Sequence, residues 1–164
     1  MGRNQVMDGP ATTTRKTGSI ITFGEIMLRL SKHCGQRLFT GYAFDAAYGG
    51  SEANVAISLA QLGDDVEYVT RVPNNPIGRA ALMRLRELGL NVSHVVVGGK
   101  RLGTYYFEPS AGMRSSQVVY DRDDSSFNTL EHGDIDWQTI FQNVSLFHCS
   151  GITCATTQDA LDTT

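Results

Sequence analysis

Gly49-Gly50-Ser51-Glu52-Ala53-Asn54-Val55-Ala56 decides how this chain is read. Two adjacent glycines let the backbone take positive φ and remove the Cβ atoms that would hold a ligand away from it. Ser51 then reads as a helix cap. Ala53, Ala56, Ile57 and Ala60 recur at helical spacing before Gly63, and their small side chains permit close approach to a sheet. The stretch predicts a turn that leads a helix away from a strand end, either a ligand-binding turn or an ordinary strand-to-helix connection.

On both sides of that turn, strand-like and helix-like segments alternate from Ser19 onward, which is the pattern of an α/β fold with a parallel sheet flanked by helices. Ile20 to Phe23 and on to Leu30 reads as a strand or strand pair, Ser51 to Leu62 as helix, and Val66 to Val72 as strand. Asn75-Pro76 opens a second helix, because Asn caps well and proline at the first helical position gives up an N–H that would be unpaired anyway. Ile77, Ala81, Leu85 and Leu88 form its apolar stripe, Arg79, Arg84, Arg86 and Glu87 lie on solvated faces, and Gly89 closes it. Val92 to Val97 is the next strand and Gly98-Gly99 a turn. Thr104 to Glu108 and Gln117 to Asp121 are β-prone runs joined by Pro109-Ser110-Ala111-Gly112-Met113, a hairpin pattern. With Leu38 to Tyr48 they predict a small separate sheet. Asp134-Ile135-Asp136-Trp137 begins another helix, with Glu131 and Asp134 as favourable charge at its positive end. Leu146 to Cys149 reads as a buried strand, and Thr157 begins a last helix.

The 164 residues, 41% hydrophobic and 19% charged, suit one globular domain, 19–164. A net charge of −3 gives no general attraction for nucleic acid or anionic membranes. No apolar run approaches the roughly 20 residues that span a bilayer, and no secretion signal is visible, so a cytoplasmic location is expected. Cys34, Cys149 and Cys154 are odd in number and fit no zinc spacing, which reads as free thiols and no metal site. Residues 1–18 lack apolar periodicity and read as a disordered tail or an expression remnant, with a targeting peptide as the alternative that Asp8 opposes.

The Gly49 to Ala56 stretch resembles the first signature of the ribokinase-like (PfkB) sugar kinases, and its Glu52 is similar to the form found in their 2-keto-3-deoxygluconate kinases. Phe23-Gly24-Glu25-Ile26-Met27, Arg71-Val72-Pro73-Asn74-Asn75-Pro76-Ile77-Gly78 and His148-Cys149-Ser150-Gly151-Ile152-Thr153 resemble further blocks of that family, in the expected order. The resemblance implies a three-layer sandwich with a mostly parallel sheet, a β lid from about residues 37–48, 103–109 and 116–122, and the N-terminal part of the fold only. It also implies Mg²⁺-ATP as phosphoryl donor, a small sugar acid as partner, and a homo-oligomer built through the lid strands.

On extended strands residues two apart share a face, so Tyr120 and Arg122 point one way, as do Tyr105 and Phe107. A guanidinium offers a fork of donors matched to a carboxylate, and phenols can bond sugar oxygens while their rings cover carbon. The resemblance places Gly50, Tyr105, Tyr120, Arg122 and Ile152 at the substrate, with Asn54 nearby. The bland alternative makes the tyrosines cross-strand neighbours and Arg122 a surface charge. Glu25, at a strand end where ligands of α/β sheets gather, either bonds a substrate hydroxyl or braces the lid. Asp121, Asp123 and Asp124 read as a solvated turn.

There is no G-x-x-x-x-G-K-[ST] loop and no H-R-D or D-F-G set, which excludes P-loop and protein kinases. There is also no D-T-x-G-A-G-D run, which in the resembled family supplies the catalytic base and the glycine turn that steadies the transferring phosphoryl. Those parts, the nucleotide pocket and a further substrate arginine are expected beyond Thr164, so this length of chain alone is expected to be inactive. The alternatives are a fructokinase- or ribokinase-like enzyme for a neutral sugar and a noncatalytic sugar-binding or oligomerisation module. With further strands of the sheet expected beyond Thr164, amide exchange in the strands of this 164-residue chain should be fast; slow exchange would show that it is independently stable.

Overall fold

Alternation along Ile20-Ile21-Thr22-Phe23 sorts the molecule into layers. The computed structural model describes residues 18–155; the tail expected over 1–18 and the helix expected from Thr157 otherwise lie outside them. In chain order the elements are β1 (Ser19–Phe23), β2 (Met27–Ser31), β3 (Asp45–Gly49), α1 (Ser51–Gln61), β4 (Val66–Val69), β5 (Arg71–Val72), α2 (Pro76–Glu87), β6 (Val96–Val97), β7 (Thr104–Glu108), β8 (Gln117–Asp121), α3 (Trp137–Ile140), β9 (Val144–His148) and α4 (Gly151–Cys154).

β4, β1 and β9 form a parallel sheet in that order, with Ile20 opposite Val66 and Leu146. On one face Ile20, Val66 and Tyr68 join Ala53 and Ala56 of α1 and Ala81, Leu82 and Leu85 of α2. On the other, Ile21, Phe23 and Val69 meet Phe127, Leu130, Ile135 and Ile140, with the Trp137 ring edge-on to Phe23 at 5.2 Å. Period-two side chains on parallel strands thus bury both faces, as an α/β sheet requires. Ala53 and Ala56 of α1 are fully buried, and a larger side chain at either would overpack the layer at a cost of about 1–3 kcal/mol.

The second sheet has the order β3-β2-β7-β8. β2 pairs antiparallel with β3 and parallel with β7, and β7 pairs antiparallel with β8, so the hairpin read from sequence is present. Its first strand is shorter than expected, Asp45–Gly49 rather than Leu38 to Tyr48. The preceding loop is held instead by Lys32, which is buried, donates to the Gly41 and Ala43 carbonyls at 3.0 and 2.9 Å, and sits 3.9 Å over the Phe44 ring. Buried Glu108 accepts from the Leu38 N–H at 2.9 Å and pairs with Arg114 at 3.1 Å, tying loop and hairpin tip together.

Other boundaries also moved. Val92 to Val97 is a strand only at Val96–Val97, because Val92 turns into the core beside Leu90. α2 is capped by Asn75, whose side chain accepts from the Gly78 N–H, as expected. Its buried stripe is Gly78, Ala81, Leu82 and Leu85, while Ile77 is exposed, so the face is rotated by one residue from the sequence reading. α3 is a single turn capped by Asp136, and Asp134 pairs with Arg71 at 2.9 Å rather than with the helix dipole. β9 is half-buried rather than buried, with Leu146 exposed.

Replacing Lys32 with methionine keeps the apolar stem and removes the donors that hold two carbonyls. Amide exchange across residues 36–44 should quicken by roughly tenfold or more while β1 and β4 keep their protection. Uniform quickening throughout the molecule would show that Lys32 supports the whole fold rather than this loop.

Candidate functional site

The carboxyl ends of β1 and β9 and the start of α1 converge on one buried carboxylate. Glu52, in the first turn of α1, is 2% exposed. It accepts from the Ser150 N–H at 2.9 Å, Ser150 Oγ at 2.5 Å, Thr153 Oγ1 at 2.6 Å and Ser51 Oγ at 2.6 Å. Burial alone would raise this carboxyl, but the hydrogen bonds from Ser150, Ser51 and Thr153 together outweigh it and hold it below the ordinary glutamate value. A Cβ on Gly24 would stand 2.3 Å from Glu52 Oε2, so the β1 end must carry glycine for the carboxylate to fit. The hydroxyl of fully buried Tyr68 adds a strut by donating to the Gly24 carbonyl at 2.7 Å.

This arrangement corrects the expected cap. Gly50 is the N-cap, Ser51 is the first helical residue, and its hydroxyl goes to Glu52 instead of to a backbone N–H. The glycine pair also works differently from expectation. Gly50 has an extended φ of −170°, which any residue could adopt. What it lacks is a Cβ, which would lie 2.1 Å from the Glu25 carbonyl oxygen. Close approach, not positive φ, makes glycine necessary there.

Gly50, Asn54, Tyr105, Tyr120, Arg122 and Ile152, the candidates from sequence, all line one cleft of about 160 Å³, together with Met27 and Ser51. Tyr105 and Tyr120 face each other across β7 and β8 with ring centroids 5.8 Å apart. They are therefore both cross-strand neighbours and a wall of the cleft. Arg122 and Ile152 also border an adjoining cleft of about 380 Å³ with Asp123, Asn128 and Ala155. A further cleft, of about 460 Å³, lies at the amino ends of the main strands beside Gly18, Asp64 and Ser145. Ligands of α/β sheets gather at the opposite, carboxyl ends.

Glu25 does not line either cleft bordered by Arg122, and it is 4% exposed. Its Oε2 accepts from Arg122 Nη2 at 2.5 Å and its Oε1 from Ser125 Oγ at 2.6 Å. Burial pushes its carboxyl up, with the Ser125 hydrogen bond and the Arg122 charge opposing. Its side chain is thus tied to Arg122, just past β8, and to Ser125 in the turn that follows. Asp121 pairs with Arg101 at 2.9 Å. Chemically, the cleft offers backbone, phenols and a guanidinium to a small polyol, and its described lining residues include no carboxylate or imidazole.

Sequence reading missed the role of Glu52, though a signal existed: it is the only charged residue between Gly49 and Gln61. Ser125 and Met27 carried no such mark.

Residues 17–164 match the pfkB family carbohydrate kinases, and the chain belongs to that family of sugar kinases. It is 32% identical over 148 residues to the 2-dehydro-3-deoxygalactonokinase of Haloferax volcanii, covering 90% of this chain and 46% of that protein. The crystal structure of 2-dehydro-3-deoxygluconokinase from Thermotoga maritima is 47% identical, with a TM-score of 0.80 over 82% of this chain and 41% of the other. A sugar kinase of Pyrococcus horikoshii in complex with ATP shares the fold at 23% identity and a TM-score of 0.67, over 75% of this chain and 40% of that one. The chain spans about half the length of the curated relatives it matches. Among the described residues no helix is long and apolar enough to cross a membrane.

Glu52→Ala should cost about 2–4 kcal/mol, because it removes the acceptor that Ser51, Ser150 and Thr153 share. A carboxyl lowered in the folded state stabilises fully above its unfolded value and ceases to do so as pH falls through the folded value. Thermal melts of the wild type should therefore weaken below roughly pH 4.3, and Glu52→Gln should flatten part of that slope. An unchanged slope in the glutamine variant would remove Glu52 as its source.

Proposed function

We propose that the cleft binds a six-carbon keto-deoxy sugar acid, 2-keto-3-deoxygluconate or its galactonate epimer, and that the whole protein phosphorylates the terminal hydroxyl of this acid from Mg²⁺-ATP. The observation that carries this reading is the Arg122 guanidinium on one cleft with two phenols and Gly50. In it, Arg122 meets the carboxylate through charge-assisted hydrogen bonds, Tyr105 and Tyr120 bond hydroxyls and cover carbon, and Gly50 lets the sugar reach backbone. Asn54 supplies a further polar contact and Ile152 an apolar one. Family membership and the 2-dehydro-3-deoxyaldonate kinase names of the relatives support it.

ATP enters through the family and through the ATP complex of the Pyrococcus horikoshii kinase. Among the described residues no group of three or more His, Cys, Asp or Glu side chains is suited to a metal ion. The described residues contribute binding, orientation and the exclusion of water by the lid. In the whole protein the base and the phosphoryl-steadying turn belong to a D-T-x-G-A-G-D run, which these 164 residues lack. A homo-oligomer paired through the lid is supported by the exposed edge strand β8, where Val118, Val119 and Tyr120 all stand open.

One observation favours a neutral sugar instead: Arg122 is already paired with Glu25, so its charge is balanced without a ligand. Calorimetry on the full-length protein separates the two readings. Arg122→Ala should weaken binding of the acid by about 1.5–3 kcal/mol and barely affect 3-deoxyfructose, in which a hydroxymethyl group replaces the carboxylate. Equal loss for both sugars, or none for the acid, would reject the acid reading.

A further inference from the structure

The Glu25 carboxyl is enclosed on several sides by parts of the chain far from it in sequence. Arg122 Nη2 reaches Oε2 from the end of β8, at 2.5 Å. Ser125 Oγ reaches Oε1 from the following turn, at 2.6 Å. A Cβ on Gly103 would stand 2.4 Å from Oε1, so the entry to β7 is shaped around the carboxyl. Glu25's own carbonyl is covered by Gly50, whose missing Cβ would stand 2.1 Å away. One residue therefore touches the glycine bend through its backbone and the guanidinium through its side chain, yet borders neither of the two clefts that Arg122 borders.

Arg122 itself is poorly anchored otherwise. Its side chain is 19% exposed, and its buried Nε has no hydrogen-bond partner among the described residues. A flexible side chain in that situation takes its position from its one ion pair, because a short contact to a fixed carboxylate outweighs the rotamer freedom that would otherwise spread it. The Asn128 side chain adds a brace at the backbone by donating to the Arg122 carbonyl at 3.0 Å, which leaves the guanidinium end to Glu25.

We infer that Glu25 is a positioning residue that sets acid selectivity through Arg122: it holds the guanidinium at the mouth of the cleft and partly balances its charge before the sugar acid arrives. The inference rests on the sugar-acid reading above. Its two effects oppose each other. Fixed geometry favours the acid, since less ordering remains to be done on binding, while the negative charge disfavours it. Glutamine separates them, because its amide oxygen still accepts from Arg122 while the charge is gone.

The experiment measures Kd for 2-keto-3-deoxygluconate and for 3-deoxyfructose by calorimetry on full-length wild type and on Glu25→Ala, Glu25→Gln and Arg122→Ala variants, with thermal melts to confirm that each is folded. Glu25→Ala should raise the acid-to-neutral Kd ratio by about tenfold, while Glu25→Gln should restore it to the wild-type value or below. A purely structural role would weaken both sugars together and leave the ratio unmoved in both Glu25 variants, which would overturn the inference. If Arg122→Ala also leaves the ratio unmoved, the acid reading itself has failed. If Arg122→Ala moves it and Glu25→Ala does not, only the positioning role has failed. Should Glu25→Ala not fold, loss of selectivity in a folded Glu25→Gln would overturn the inference by itself.

Discussion

The buried Glu52 carboxylate is the contact on which the rest of this architecture depends. A charge removed from water is tolerated only when donors surround it, and here the donors come from Ser51 beside it and from Ser150 and Thr153 at the far end of the described chain. The consequence is geometric. α1 and the β9–α4 corner are locked at one spacing, which fixes Gly50 and Asn54 relative to Ile152. The same carboxylate forbids a side chain at Gly24, and so sets how β1 leaves the sheet toward Glu25. One acidic side chain thus aligns three of the segments that meet at the cleft.

The remaining wall of the cleft comes from the smaller sheet, and its attachment follows a different physics. β2 continues directly from the β1 end, so this sheet is joined covalently to the main one and needs only modest contacts to stay in place. Glu25 to Arg122 is such a contact, across 97 residues of sequence. The outer part of the sheet is built less from apolar burial than from buried charges, Lys32 and Glu108, each satisfied by backbone or by a paired arginine. Charged pins suit a structure with both faces near water, where a dry core would have no room.

Much of the fold was legible. Strong turn signals and apolar alternation placed α1, α2, β4 and the β7–β8 hairpin to within a few residues, because local chemistry and tertiary need agree there. The sequence reading failed where long-range contacts override local pattern. Ser51 looks like a cap but serves Glu52, and Ile77 sits at stripe spacing but is turned outward by the rotation of α2. Val92 is β-prone yet enters the core from a loop. The candidate residues of the cleft were found largely through the family motif, and period-two geometry explained only why Tyr120 and Arg122 go together. Glu25 stood out by its place at a strand end and Glu52 by being a lone charge, but neither could be matched to its partners, since Ser125 and Thr153 lie on the order of a hundred residues away, beyond any local pattern.

The parallel main sheet has a further consequence, for the order of assembly during synthesis. β1 is the central strand, yet its second neighbour, β9, pairs Ser19 with Val144 and so emerges from the ribosome long after the first. Until then one edge of β1 stays open, and so does the acceptor in α1 that waits for Ser150. Loop closure over such a span is slow, and an unpaired strand edge is the kind of surface that chaperones bind. The interval between the appearance of β4 and that of β9 is when the nascent chain is most vulnerable to mispairing.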